Sequence, residues 1–496
     1  MEAQLSSRMA AMATGAIPKI EASIANKEGK IDLATAESWV IRHELVSLFQ
    51  DAMANGFNIN DLSYPEGFGG PPDLLHALAR LFNEHFNPVS PVLPNHIVAT
   101  TGASLCLDAL MFSICEPGDI VLVMAPYFNG LDLHLALRSG CKLVPISATM
   151  SIEGANADCQ SLWKSVNTNL NEAYEGCADP SKVKALVITN PNNPLGMCYP
   201  EEVMRETMFW CGERGIYYVS DEVYALSDFS RGRGQGPTEG GLPKYDLTVT
   251  KATPFISALS VDLHDEQAGR NDLSGDAETK MRKIPPIGVV WSTSKDLGSS
   301  GLRLGVFVKR PVAGSAASSS SRCPLTGSLG LLTTPHLPSI TSKLTTALLD
   351  SPALPALLSL SHARLRANYD ILTQALRSWD VRFVPTTNAP FLFARLGMVV
   401  ATLAVGGKGP HEDRDDVEDC TWADEENVVA ILRDRAGVLV ASGKGFHVAC
   451  EKCLGCQSCS MAGWVRITFG VPEAVLRDAL TRMAKALDLN AGWETQ

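Results

Sequence analysis

Residues 287–309 read IGVVWSTSKDLGSSGLRLGVFVK, and this stretch decides the fold. It opens on a short apolar run with the look of a buried strand. The run ends on Ser292-Thr293-Ser294-Lys295. A lysine at the end of a buried strand is costly as a charged group and tends towards a lowered pKa. That suits an amine forming a Schiff base with a carbonyl. The hydroxyls of Ser292 and Ser294 and the guanidinium of Arg303 suit a phosphate. Lysine, hydroxyls and arginine together suggest pyridoxal phosphate, although SxSK alone is as often a surface turn.

Working outward, the same pattern recurs. HIVATTGAS (96–104), DIVLVMAPYF (119–128), KLVPISA (142–148), KALVITNP (184–191), IYYVSDEVY (216–224) and RLGVFVKR (303–310) read as further strands. Segments between them, such as EEVMRETMFWCGERG (201–215), suit helices. This alternation predicts an α/β fold, an open, mostly parallel sheet with helices on both faces. After the serine run at 313–321, SITSKLTTALL and SHARLRANYDILTQALRSW read as helices. NAPFLFARLG, GVLVAS and WVRITFG read as short strands of a smaller α+β unit. The expected domains are 46–325, with an insertion at about 230–284, and 1–45 with 326–496, with loops at about 406–420 and 447–460. The stretches 230–284, 313–321 and 406–420 are rich in Gly, Ser, Pro or like charges and read as mobile surface.

Several strands end on polar residues, where open α/β sheets carry ligands. Asp221 follows IYYVS, and an aspartate there can pair with a protonated pyridine nitrogen. Tyr224 can donate to the ring's phenolic oxygen. NPNNPLG (190–196) is a proline-fixed turn that presents an amide, Asn193, to the same oxygen. Gly102-Ala103-Ser104 joins a strand to an apolar helix, which makes an anion site of backbone N–H groups. Tyr127 in APYF suits stacking on a ring; taken alone, it would sit in a core.

These segments, in this order, resemble the fold-type-I pyridoxal-phosphate enzymes of the class I/II aminotransferase family, and within it the 1-aminocyclopropane-1-carboxylate (ACC) synthase-like branch. The resemblance covers residues 31–487 apart from the insertions and rests on YPEG, TGAS, APY, NPNNPLG, SDEVY, STSKDLGSSGLRLG and GWVRITF. It implies that Lys295 is the Schiff-base lysine and proton shuttle, and that Asp221 holds the pyridine nitrogen. Tyr224 and Asn193 would contact the ring oxygen and Tyr127 would stack. Gly102, Ala103, Ser104, Ser292, Ser294 and Arg303 would bind the phosphate. Tyr64 in LSYPEG matches a tyrosine that reaches into a partner subunit's site, so a homodimer is implied. Arg466 in WVRITF matches the arginine that grips the substrate carboxylate, and Glu37 an acidic residue near the substrate.

The expected activity is that of an aminotransferase acting on an α-amino acid, with carbon–sulfur or ACC-type lyase chemistry as the alternative and a non-catalytic protein on the same fold as the second. Residues 60–63 read Asn-Asp-Leu-Ser where ACC synthases carry Gln-Asp-Tyr, which argues against ACC synthesis itself. The LATAES start resembles fungal members of the branch, some of which are carbon–sulfur lyases of natural-product pathways.

Composition sets the outer limits. The chain has 496 residues, 45% hydrophobic and 19% charged, which excludes a disordered or collagen-like chain. A net charge of -12 argues against nucleic-acid or anionic-membrane binding. No run approaches the ~18 apolar residues of a membrane span, and the N-terminus lacks a secretory pattern, so a cytoplasmic protein is expected. Most of the 13 cysteines, such as Cys106, Cys115, Cys141 and Cys211, read as buried reduced thiols. Cys450, Cys453, Cys456 and Cys459 form a C-x2-C-x2-C-x2-C run, too close-set for an easy tetrahedral zinc site and lacking a ferredoxin spacing. No bound metal is expected.

Overall fold

The seven apolar runs pair into one sheet. Its strands are β1 (Ile97–Thr100), β2 (Ile120–Ala125), β3 (Lys142–Ser147), β4 (Val183–Thr189), β5 (Tyr217–Asp221), β6 (Ile287–Ser292) and β7 (Gly305–Lys309), in the order β1-β7-β6-β5-β4-β2-β3. The pairs from β3 through β2, β4 and β5 to β6 are parallel, whereas β7 runs antiparallel to both β6 and β1. The fold is thus α/β with a mostly parallel sheet, as expected. The computed structural model describes residues 5–25, 27–64, 66–147, 159–230, 253–263, 282–311, 322–404, 420–448 and 462–489.

Strands covered on both faces are apolar without alternation, and every residue of β6 is buried. The edge strand β3 differs: Lys142 and Pro145 are exposed there. A proline is tolerated at an edge because no further strand needs its missing N–H. Helix α1 (Ala103–Ile114) buries Leu107, Leu110 and Met111 in a core with Val98, Val123, Val187, Val219 and Phe307. Helix α2 (Glu201–Arg214) joins β4 to β5. It begins with Glu201 and Glu202, which complement its dipole, and ends at Gly215 with φ 67°, a left-handed stop.

The chain forms two compact units. One comprises residues 37–366 and 384–390 and holds the seven-stranded sheet; the other comprises 1–36, 367–383 and 391–496. Helix Ser339–Leu349 lies in the first unit. There Thr341 donates to the Leu302 carbonyl (2.8 Å) and Lys343 pairs with Asp61 (2.9 Å). The second unit is built on a sheet of β8 (Phe383–Val384), β9 (Phe391–Ala394), β10 (Ala441–Ser442) and β11 (Val465–Thr468), in the order β10-β11-β9-β8. Ile31–Asp32 pairs in parallel with Val438–Leu439, and the Asn368 amide donates to the carbonyls of Phe469 and Val471 at 2.7 Å each.

One expectation needs correction. The stretch 230–284 is not surface throughout, because Ala258, Leu259, Val261 and Leu263 are buried. The buried carboxylate of Glu222 holds them in place. It accepts from the Ser257 hydroxyl (2.6 Å) and the Ala258 N–H (2.7 Å). Residues 231–252 and 264–281, the serine run 313–321, the charged loop 406–419 and the cysteine run 450–459 lie outside the described residues. Among the described residues no helix is long and apolar enough to cross a membrane.

Register brings the N-terminus of α1 to Lys295. Thr100 and Ser292 both stand opposite Gly305, so the turn after β1 lies over the start of β7. A Cβ on Gly305 would come within 2.2 Å of the Gly102 carbonyl carbon and 2.4 Å of the Ala103 nitrogen. Both are backbone atoms that cannot rotate away. Gly305→Ala is therefore expected to destabilise the protein by ~1–3 kcal/mol or more and to weaken phosphate-ester binding. Thermal denaturation with and without such a ligand checks both effects.

Candidate active site

The polar residues at the strand ends converge in the first unit. β5 ends on Asp221, which is buried. The Val223 N–H donates to its carboxylate and Lys295 contributes a nearby positive charge, yet burial dominates and pushes Asp221 up to about 7. Its Oδ1 has no hydrogen-bond partner. The next residue makes the contrast. Glu222 is as deeply buried and is also pushed up to about 7 by burial, but the Ser257 hydroxyl and the Ala258 N–H satisfy its two oxygens. Glu222 is a structural acid. Asp221 is a buried acid with one oxygen left over, and a protonated ring nitrogen would complete it.

Beside it, the turn 190–196 is fixed from several sides. The Asn190 N–H donates to the Asp221 carbonyl (2.9 Å) and the Asn192 amide to the Pro126 carbonyl (3.0 Å). Asn193 is thereby presented to Tyr224, and its amide donates to the Tyr224 phenolic oxygen at 3.4 Å. These are the two residues expected to share a ring oxygen. Tyr127 follows β2 and is buried; its phenol donates to Asp132 at 2.8 Å. Burial, then this bond, pushes the phenol up and keeps it protonated. Asp132 went unrecognised in the sequence, where DLHL reads only as a helix start.

Several residues expected to hold a phosphate also meet. Gly102 is the N-cap of α1 with φ 87°, and no side chain caps that helix. Ser104 therefore sits in the first turn rather than at the cap. A Cβ on Gly102 would fall 2.4 Å from a terminal nitrogen of Arg303, so glycine lets the guanidinium lie against the turn. Arg303 is exposed and donates to the Ser300 carbonyl at 3.0 Å. The hydroxyls of Ser292 and Ser294 are 2.8 Å apart and buried. Backbone N–H groups, two hydroxyls and an arginine around one helix N-terminus form an anion cradle.

Lys295 is half-buried in a single helical turn, Thr293–Asp296, and neighbouring groups fix that turn. Asp296 is buried and accepts from the Trp291 indole (2.8 Å) and the Leu226 N–H (3.0 Å). Burial pushes it up to about 8. Glu37 accepts from Ser300, from Arg42 (3.0 Å) and from the Trp39 indole (3.1 Å). Partial burial raises Glu37, but these bonds outweigh it and hold the acid below its usual range. Glu37 is thus tied to the loop that follows Lys295. Tyr64 is 96% exposed, beside exposed Ile59 and Leu62, and makes no part of the cluster around Asp221.

Arg466 belongs to the second unit. It is buried on β11, donates to the Ala34 carbonyl, and lies 4.9 Å from the ring centroids of both Phe391 and Phe446.

Because Asp221 is raised, it favours the cofactor-free fold when protonated. That stability is present below the ordinary carboxylate range and is lost as pH rises through about 7. Without cofactor, the melting temperature should fall from pH 5 to 8, and Asp221→Asn should flatten the fall. Parallel wild-type and variant curves would contradict the assignment.

Comparisons with known proteins bear on the family and the fold. The sequence model of the family described as "Aminotransferase class I and II" matches residues 60–483. The chain is 34% identical over 489 residues to "Probable aminotransferase aclI" of Aspergillus oryzae, covering 98% of each protein. It is 26% identical to "1-aminocyclopropane-1-carboxylate synthase 1" of Oryza sativa subsp. indica, covering 94% of this chain and 80% of that one. The fold matches a Thermus thermophilus aspartate aminotransferase double mutant with a TM-score of 0.66 at 21% identity, covering 98% of this chain and 100% of the other. The chain belongs to the class I and II aminotransferase family of pyridoxal-phosphate-dependent enzymes.

Proposed function

We propose that this enzyme transaminates an α-amino acid, with Lys295 as its catalytic base. One observation carries the reading: Asp221 is buried with an unmatched oxygen, beside the Asn193–Tyr224 pair and the charge of Lys295. The residues present fit pyridoxal phosphate, since the orphaned carboxylate oxygen suits its ring nitrogen and the glycine-lined cradle at α1 suits its phosphate. When bound, that group supplies an aldehyde for amines and a ring that accepts electron density from the substrate's Cα.

The chain's own residues have separable tasks. Asp221 keeps a proton on the ring nitrogen. Asn193 and Tyr224 hydrogen-bond the ring oxygen, and Tyr127, fixed by Asp132, covers the ring face. Gly102, Ala103, Ser104, Ser292, Ser294 and Arg303 hold the phosphate and so fix the ring's position. Lys295 takes the Cα proton and returns it at a different carbon. Arg466 binds the substrate carboxylate and so orients the Cα–H bond. Glu37 orders the loop after Lys295 and faces the substrate side. Tyr64 completes the site of a partner subunit in a homodimer, which its exposure and apolar neighbours support.

Transamination is favoured over lyase chemistry because the similar protein of Aspergillus oryzae carries an aminotransferase name at 34% identity, against 26% for the rice ACC synthase. The resemblance to fungal members of the branch supports a role in secondary metabolism.

Product analysis decides the reaction. Amino acids and cysteine conjugates are incubated with and without a 2-oxo acid. A new amino acid formed only with the 2-oxo acid supports transamination, whereas pyruvate and ammonia formed without an acceptor indicate a β-elimination lyase. Arg466→Lys should lower kcat/KM by roughly 10²-fold while leaving the cofactor's visible absorbance intact, because a bidentate carboxylate contact is lost. Sedimentation should show a dimer; a fully active monomer would remove the role given to Tyr64.

A further inference from the structure

Two acids open the helix Trp422–Ile431 of the second unit, and only one of them serves the helix. Asp424 completes its capping box: the Thr421 N–H donates to its carboxylate (2.8 Å), and its own N–H donates to Thr421 Oγ1 (3.2 Å). Glu425 is fully buried and turns to the sheet instead. Its Oε1 accepts from the Ser442 hydroxyl and from the Lys444 N–H (2.8 Å), and its Oε2 accepts from the Gly463 N–H (3.0 Å). One carboxylate thus spans two chain segments, the end of β10 and the approach to β11.

Both segments lead to Arg466. The Gly463 carbonyl accepts from the Gly397 N–H (2.9 Å), and the neighbouring Ala462 carbonyl accepts from buried Arg395 (3.1 Å). A Cβ at Gly463 would fall 2.4 Å from Cys420 Sγ, so only glycine fits this close approach. Arg466 follows on β11, opposite Ala441 of β10 on one side and Phe393 of β9 on the other. The other segment runs into the turn Gly443–Phe446, whose Phe446 ring is one of the two that flank the Arg466 guanidinium. Phe446 meets Phe393 edge-on (6.2 Å, 81°), and Phe393 stacks on Trp464 (5.3 Å, 14°). The strand that carries Arg466 and a ring beside its guanidinium therefore share one anchor.

We propose that Glu425 is a positioning residue for Arg466: its carboxylate locks the strand and the aromatic turn around the guanidinium, and so sets the geometry in which a substrate carboxylate is gripped. The proposal rests on the reading of Arg466 as the carboxylate arginine. A guanidinium meets a carboxylate as a planar fork with two parallel N–H···O bonds, and a tilt of the fork gives up one of them. A carboxylate suits the clamp because both of its oxygens accept, so it serves a hydroxyl and two backbone N–H groups together. In Glu425→Gln one of those oxygens becomes a donor that faces another donor, and one arm of the clamp opens.

The test uses the holoenzyme and two probes, L-alanine and ethylamine, which differ only in the carboxylate. The change each causes in the cofactor's visible absorbance gives its dissociation constant. Glu425→Gln should weaken L-alanine by roughly 10-fold and leave ethylamine within a factor of about two. Arg466→Lys, measured alongside, should weaken L-alanine more strongly, again with ethylamine spared. Ser442→Ala keeps both backbone arms of the clamp and should match wild type. If Arg466→Lys removes the preference for L-alanine and Glu425→Gln does not, the positioning role is overturned while the reading of Arg466 stands. If neither removes it, that reading fails and the proposal with it. Equal weakening of both probes by Glu425→Gln shows a merely structural role and also overturns it. Glu425→Asp, which keeps the charge but is one methylene shorter, takes its place where the amide does not fold. It cannot span both segments, and the same loss of preference is expected.

Discussion

A carboxylate kept dry at the end of a parallel strand is the constraint on which the site depends. Burying an acid with one oxygen unmatched costs the fold several kcal/mol, unless something supplies the missing partner. Glu222 shows how this chain treats a purely structural acid: it surrounds the group with a hydroxyl and a backbone N–H and so ties residues 257–258 into the core. Asp221, one residue earlier, receives no such treatment at Oδ1. Asp296 also has an unmatched oxygen, so what sets Asp221 apart is its place at the end of β5, near the Asn193–Tyr224 pair and the charge of Lys295.

The rest of the first unit can be read as support for that poised group. The antiparallel strand β7 sets Gly305 between Thr100 and Ser292, which places the turn after β1 over the start of β7, where the proposed phosphate site lies. Glycines at 102 and 305 leave room for Arg303 and for the turn itself. Asp296 anchors the turn that carries Lys295 through Trp291 and Leu226. Each contact fixes a backbone position rather than a reacting atom, and orientation is what such chemistry needs most.

Much of this was legible in the sequence, because buried strands of a parallel sheet are uninterrupted apolar runs and ligand residues follow them directly. All seven runs became strands; Asp221 ends β5, and Asn193, Tyr224 and Tyr127 sit just beyond strand ends. What escaped reading depends on long-range contact. The Arg466 partner, the Ala34 carbonyl, lies 432 positions away, and Glu37 meets Ser300 at a separation of 263. Asp132 looks like any helix acid until Tyr127 is seen to donate to it. The stretch 253–263 was masked by its polar flanks, although FISALSVDL carries enough apolar residues to be core.

In the proposed site the unmatched oxygen of Asp221 anchors pyridoxal phosphate. The most direct measurement is the dissociation constant of pyridoxal phosphate for Asp221→Ala against wild type, read from visible absorbance and equilibrium dialysis. Loss of a buried charged partner predicts binding weaker by about 10²-fold or more, with the fold retained by circular dichroism. Wild-type affinity in the variant would contradict the account.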